Sequence, residues 1–265
     1  MEAASEKILG YTVVSSGLGS CLETIENLLD SQRTALPCCQ LALCLNPHSY
    51  VESLHNPLFS DTLHHADWLV PDGAGIVLAS RVLGGKIHER ISGSDLFCGI
   101  NKLLEKKGNT KVFFLGSTEE TLKIIVRKLS EEYPGIQLAG TFSPPFKSEF
   151  SEQESNAMVE AINNAHPDVL WVGMTSPKQD IWLYENRERL NVLFAAAIGA
   201  VFDFYTGKAK RSHPFFQKIG LEWLPRLLRD PKRLWKRTVI SAPVFLFHLF
   251  RHKIFTTFHQ SPPFS

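Results

Sequence analysis

An acid, an arginine and several glycines fall close together in Pro71-Asp72-Gly73-Ala74-Gly75 and Glu89-Arg90-Ile91-Ser92-Gly93-Ser94-Asp95, each beside an apolar run. An aspartate between a strand-like run and a glycine pair suits two roles: capping the next helix, or taking a proton from a hydroxyl as general base. Arg90 is either a surface arginine, the usual place for its type, or a phosphate ligand, since its planar fork gives paired charge-assisted bonds to phosphate oxygens. Asn46-Pro47 reads as a turn or as a polar contact. Pro177-Lys178-Gln179-Asp180 opens a helix, with Lys178 and Asp180 in solvent.

Other chemistries lack their residues. Gly17-x-Gly19-x-x-Leu22 and Gly73-x-Gly75-x-x-Leu78 each miss the third glycine of a dinucleotide fingerprint and read as helix-entry turns. No serine stands in Gly-x-Ser-x-Gly. No His-Glu-x-x-His, Asp-x-Asp or Cys-x-x-Cys occurs, so no metal or cofactor is expected, and arginine or lysine must balance any leaving-group charge. Cys21, Cys38, Cys39, Cys44 and Cys98 are odd in number and suggest a reducing compartment.

The elements that position these residues alternate. Strands are expected at 40–45, 67–70, 111–115, 137–141, 169–172 and 192–196, and helices at about 47–60, 73–84, 94–107, 118–132, 152–165 and 177–190. This predicts an α/β fold with a mostly parallel Rossmann-like sheet and helices on both faces. Ligands of such sheets bind beyond the carboxyl ends of the strands. Asn46, Asp72, Gly116-Ser117 and Gly173 to Gln179 each follow a strand, so four strand ends should meet at one crevice.

Taken together, Asn46-Pro47, Asp72-Gly73-Ala74-Gly75, Arg90-Ile91-Ser92-Gly93-Ser94-Asp95, Phe114-Leu115-Gly116, Val172-Gly173-Met174-Thr175-Ser176-Pro177-Lys178-Gln179-Asp180, Gly199-Ala200-Val201-Phe202-Asp203 and Gly220-Leu221-Glu222-Trp223 resemble the WecG/TagA/CpsF glycosyltransferases from about residue 8 to about residue 240. The resemblance implies inverting transfer of a hexose, of N-acetylmannosamine, N-acetylmannosaminuronic acid or glucose type, from a UDP-sugar to a polyprenyl-diphosphate-linked acceptor in bacterial cell-surface polysaccharide synthesis. Asp72 would be the general base. Arg90, with Arg226 and Arg233, would meet the donor diphosphate, and Gln179 and Asn46 would contact substrate. Two positions depart from the pattern: relatives have Thr-x-Asn where Cys44 precedes Asn46, and Pro-Lys-Gln-Glu where Asp180 stands. The segments at 45–50 and 66–75 look most like the exopolysaccharide-assembly branch.

Composition adds a division of charge. The chain has 265 residues, 44% hydrophobic, with a formal net charge of +1. Residues 207–265 carry 12 Lys/Arg against Glu222 and Asp230, whereas residues 1–206 carry an acidic excess. We therefore expect a catalytic α/β domain over 1–206 and a basic, mainly helical amphipathic appendage over 207–265. The appendage should meet an anionic membrane surface and not nucleic acid. No apolar run reaches the roughly 20 residues of a membrane span, and no secretory signal is seen. The resemblance implies a cytoplasmic location, peripheral on the inner face of the bacterial membrane. A non-catalytic membrane-bound nucleotide-binding module and a nicotinamide-dependent oxidoreductase remain as alternatives.

Overall fold

The computed structural model of the chain describes residues 3–30, 39–209 and 235–259. Arg226 and Arg233 lie outside the described residues. The centre is a six-stranded sheet of β3 (Gln40–Leu45), β4 (Trp68–Pro71), β5 (Lys111–Gly116), β6 (Gln137–Phe142), β7 (Val169–Gly173) and β8 (Phe194–Ala197), in the order β4-β3-β8-β7-β5-β6. Every neighbouring pair is parallel. All six expected strands form, with ends shifted by one or two residues.

Side chains alternate across each strand, and this divides the core into two layers. Leu41, Leu43, Leu45, Leu69, Phe113, Leu115, Leu170, Val172, Ala195 and Ala197 face one layer. Ala42, Trp68, Val70, Val112, Phe114, Trp171, Phe194 and Ala196 face the other. The second layer is closed by α1 (Gly17–Asp30), α5 (Gly93–Lys107), α6 (Glu119–Glu132) and α9 (Val201–Thr206). The first is closed by α2 (Pro47–Ser53), α3 (Pro57–His64), α4 (Ala74–Leu83), α7 (Glu152–Ala165), α8 (Lys178–Asn186) and the last helix, α10 (Ala242–His259). Near-continuous apolar strands such as Val169–Gly173 are what a sheet covered on both faces requires.

Two features depart from the expected elements. The single helix expected at 47–60 is two helices, because Pro57 has no N–H to donate and holds Asn56 in extended backbone (φ −130°, ψ 95°). Asn56 then caps α3, its Oδ1 accepting from the Phe59 amide at 3.0 Å. An antiparallel hairpin, β1 (Ser5–Ile8) and β2 (Tyr11–Val14), precedes the sheet. Its strands are too short and too polar in alternation to stand out in the sequence. Tyr11 fixes it to α2, donating from Oη to Ser53 Oγ at 2.8 Å.

The described part of the basic segment is not separate from the sheet. A π-helical turn, Lys236–Ser241, leads into α10, whose Phe245 and Leu249 are buried in the first core layer. Phe245 meets the Tyr50 ring edge-on at 5.4 Å between centroids. Ser241 Oγ lies 2.9 Å from His48 Nδ1, and Tyr50 Oη lies 3.0 Å from His248 Nδ1. Helix α10 is thereby fixed along α2.

Candidate active site

Parallel register brings Asn46 and Asp72 together. Leu45 of β3 pairs with Pro71 of β4, and the next residue on each strand is Asn46 and Asp72. The Asp72 amide extends the ladder, donating to Leu45 O at 2.8 Å. Asn46 is the N-cap of α2: its Oδ1 accepts from the amides of His48 and Ser49, both at 3.0 Å, and Ser49 Oγ accepts from the Asn46 amide at 2.7 Å in a capping box. With Oδ1 committed to the helix, Nδ2 is aimed outward and donates to Asp72 Oδ2 at 3.2 Å. The signal for this arrangement, Asn-Pro-x-Ser, is present in the sequence but reads there only as a turn.

Asp72 is not the cap of α4. That cap is Gly73, at φ 85° and without a side-chain cap. Nor are Gly73 and Gly75 a dinucleotide fingerprint. Gly75 is small because the first turn of α4 meets the start of α2 there: a Cβ would fall 2.3 Å from Pro47 Cγ. The glycine sets the approach of the two helices whose starts carry Asp72 and Asn46.

The second part of the motif wraps the end of β4. The Ile91 amide donates to Pro71 O at 2.8 Å, which holds the 89–92 segment beside the strand that ends in Asp72. Glu89 Oε1 accepts from the Leu18 amide at 3.0 Å at the start of α1, and Ile91 is buried in the core. Arg90, between them, is half-buried beside the end of β4. Asp95 closes the capping box of α5, accepting from Ser92 N at 2.9 Å and Ser92 Oγ at 2.6 Å.

Across the sheet, Gln179 is buried and accepts from the Met174 amide through Oε1 at 3.0 Å. A Cβ on Gly199 would lie 3.5 Å from its Nε2, so the amide spans the ends of β7 and β8. Asp180 contradicts the expectation of a solvated acid. It is 3% exposed, and its Oδ2 has no hydrogen-bond partner among the described residues. Burial pushes its carboxyl up to about 7, against the opposing effect of the Ser176 hydroxyl. Lys178 turns away, donating to Lys147 O at 2.6 Å and lying over the Phe150 ring.

Cys44 lies between these groups. Its thiol is held well above the usual range, first by burial and then by the charges of Asp72, Asp180 and Asp95, while the Gly93 amide opposes the shift. That makes it a neutral group on the floor of the site and not a nucleophile. The starts of α2, α4, α5, α8 and α9 follow the carboxyl ends of strands or the segment bound to β4, so several positive helix ends face this side of the sheet. The sequence-named Asn46 and Asp72 are in contact, Arg90 lies beside the same strand end, and Gln179 stands across β8. Among the described residues, no group of three His, Cys, Asp or Glu side chains could hold a metal ion.

The family model of the glycosyl transferase WecG/TagA/CpsF family matches residues 6–258. The chain belongs to that family. It is therefore a WecG/TagA/CpsF-type glycosyltransferase. Two Bacillus proteins are among its relatives. One from Bacillus spizizenii is 29% identical over 208 residues, covering 78% of this chain and 77% of its own. One from Bacillus subtilis is 27% identical over 258 residues, covering 97% and 96%. A Staphylococcus aureus protein is 26% identical over 250 residues, covering 94% of each chain. All three bear the name N-acetylglucosaminyldiphosphoundecaprenol N-acetyl-beta-D-mannosaminyltransferase. In this WecG/TagA/CpsF chain the motifs at Asn46, Asp72, Gly116 and Gly173 stand at strand ends, and the Arg90 to Asp95 motif lies beside the end of β4. Gly220-Leu221-Glu222-Trp223 lies outside the described residues, and the match extends into α10.

Proposed function

We propose that this glycosyltransferase moves a hexose, of N-acetylmannosamine, N-acetylmannosaminuronic acid or glucose type, from a UDP-sugar to a polyprenyl-diphosphate-linked sugar, with inversion, in bacterial cell-surface polysaccharide synthesis. The observation that carries the mechanism is the Asn46–Asp72 contact at the carboxyl end of the sheet. The names of the relatives support the acceptor class and favour N-acetylmannosamine as the first donor to try.

In this reading Asp72 takes the acceptor hydroxyl proton as that oxygen attacks the anomeric carbon, and UDP departs from the opposite side. Asn46 holds the carboxylate in place, donating to its Oδ2. Arg90 and the positive helix starts balance the diphosphate as charge develops on it. Arg226 and Arg233 complete that balance. The reaction is metal-independent, and the enzyme works as a peripheral protein on the cytoplasmic face of the membrane, with 1–206 as the catalytic domain and 207–265 as the membrane-associating appendage. Below about pH 7 Cys44 and Asp180 supply a mostly neutral floor, so the acceptor meets one charged carboxylate and not two.

The test is UDP release from UDP-N-acetylmannosamine, UDP-N-acetylmannosaminuronic acid and UDP-glucose in the presence of a lipid-linked N-acetylglucosaminyl diphosphate. One of the three should turn over only with the acceptor present, and turnover should persist in excess EDTA. Release of UDP from none of them refutes the donor assignment. Loss of activity in EDTA, restored by a divalent ion, refutes the metal-independent arrangement.

A further inference from the structure

Helix α10 has three faces of different character. Ser241, at the end of the π-helical turn, and Phe245 and Leu249 of α10 point into the core. Phe247, Phe250 and Ile254 point outward and are 64%, 54% and 55% exposed. Between these faces, His248, Arg251, His252 and Phe255 recur at positions that share one flank of a helix. With Leu9 of the β1–β2 turn and Tyr50 of α2 they line a cleft of about 250 Å³.

The chemistry of this cleft is cationic and apolar together. No lining residue is acidic, and residues 235–259 contain no Asp or Glu. Arg251 stacks on Phe255, its guanidinium carbon 5.7 Å from the ring centroid, so the fork is held at the cleft wall. His248 has its Nδ1 against Tyr50 Oη, which fixes the ring edge-on to Tyr50. The His-x-x-x-His spacing of His248 and His252, which the sequence reading passes over, suits a metal in isolation. Arg251 between them is permanently charged and repels a cation. An oxyanion fits the same donors.

Position then selects among anions. A helix lying in a bilayer interface sinks its apolar face by roughly 5 to 10 Å into the headgroup and acyl boundary. With Phe247, Phe250 and Ile254 downward, the flank that carries the cleft stands at headgroup depth, and Leu9 and Phe255 offer apolar walls continuous with the submerged face. We propose that this cleft binds the phosphodiester of an anionic glycerophospholipid. The proposal rests on the membrane-facing part of the proposed function and not on the sugar or acceptor. It assigns a specific lipid contact to the surface that touches the back of α2, the helix capped by Asn46.

The full chain should be tested by sedimentation with phosphatidylcholine vesicles, with and without phosphatidylglycerol. Arg251→Ala should weaken binding to the anionic vesicles by about tenfold, the effect of losing a charged hydrogen-bond donor. Lys253→Ala removes the same charge from the opposite flank of the helix and should cost much less. Equal losses would reduce the cleft to general electrostatic attraction and overturn the proposal. As a second measurement, dihexanoyl phosphatidylglycerol below its micellar concentration should shift the His248 and His252 ring resonances saturably, while inorganic phosphate at the same concentration should not. Equal shifts by both probes assign the cleft to small anions and also overturn it. Neither readout requires transfer: a silent donor screen with intact lipid binding refutes the donor assignment alone, and intact transfer with equal losses refutes only the cleft.

Discussion

At Asp72, the contact with Asn46 separates two roles that the sequence leaves open. The helix behind it is capped by Gly73, so Asp72→Asn removes no cap, and the new amide oxygen can still accept from Asn46 Nδ2. The variant should melt within a few degrees of the wild type and lose transfer by about 10² to 10⁴, the usual loss when a general base is removed. Full turnover by the folded variant would take the base away from Asp72. Asp180 makes a different prediction, in stability. Burial pushes its folded carboxyl up to about 7, well above the ordinary aspartate range, so the folded state binds the extra proton across that interval. Its contribution to stability is therefore full below the unfolded pKa and is lost as pH rises through about 7. Asp180→Asn, which cannot ionise, should gain melting temperature on the wild type as pH is raised from 5 to 8. Parallel melting curves across that range would show that the carboxyl is not buried in neutral form.

The elements explain why these residues meet. Helices α2 and α4 follow adjacent strands and their first turns meet at Gly75 and Pro47, which keeps the start of each helix over its own strand end. Gly75→Ala places a methyl group inside contact distance of a proline ring that cannot rotate away. It should destabilise the fold by about 1 to 3 kcal/mol, as overpacking does, and lower transfer by separating Asp72 from Asn46. Gly73→Ala is the informative comparison, since a Cβ there meets open space and the cost comes from φ 85° alone. A denaturant titration of both variants alongside turnover checks this: Gly75→Ala should lose activity out of proportion to stability, and equal proportionate losses would remove the Gly75–Pro47 contact from the site. The hairpin, α2 and α10 form a second linked set. Tyr11 reaches Ser53, Tyr50 reaches His248, and Ser241 reaches His48, all along the helix that Asn46 starts.

For the whole molecule, the arrangement of α10 changes how membrane binding should be tested. Removing residues 207–265 would take Phe245 and Leu249 from the core and uncover Tyr50, so lost activity would not distinguish a missing anchor from a damaged fold. Serine at Phe247, Phe250 and Ile254 leaves the buried face intact. Such a variant should keep its melting temperature and bind anionic vesicles far less well, because the apolar area that would enter the interface is gone. Unchanged sedimentation would remove the outward face of α10 from membrane contact. Among the described residues, no helix is long and apolar enough to cross a membrane, which is consistent with the short apolar runs of the sequence.

The sequence by itself determined the parallel sheet, because buried strands and amphipathic helices write different periods into the chain and the two alternate over most of its length. It also placed Asn46 and Asp72 at strand ends and Gln179 in the segment that follows β7, since those motifs come after apolar runs. It did not show that Asn46 supports Asp72. That depends on β3 lying beside β4 in a particular register, and pairing of strands 26 residues apart has no local signature. The hairpin and the break at Asn56-Pro57 were likewise hidden or misread, the first because four-residue strands carry too little pattern, the second because helical periodicity outweighed a proline. Only tertiary structure decided that Asp180 is buried with an oxygen unpartnered among the described residues, that Gly75 makes room for Pro47, and that α10 packs along the helix that starts the site. Each of these depends on what lies opposite a residue in space, and neighbouring residues along the chain do not record it.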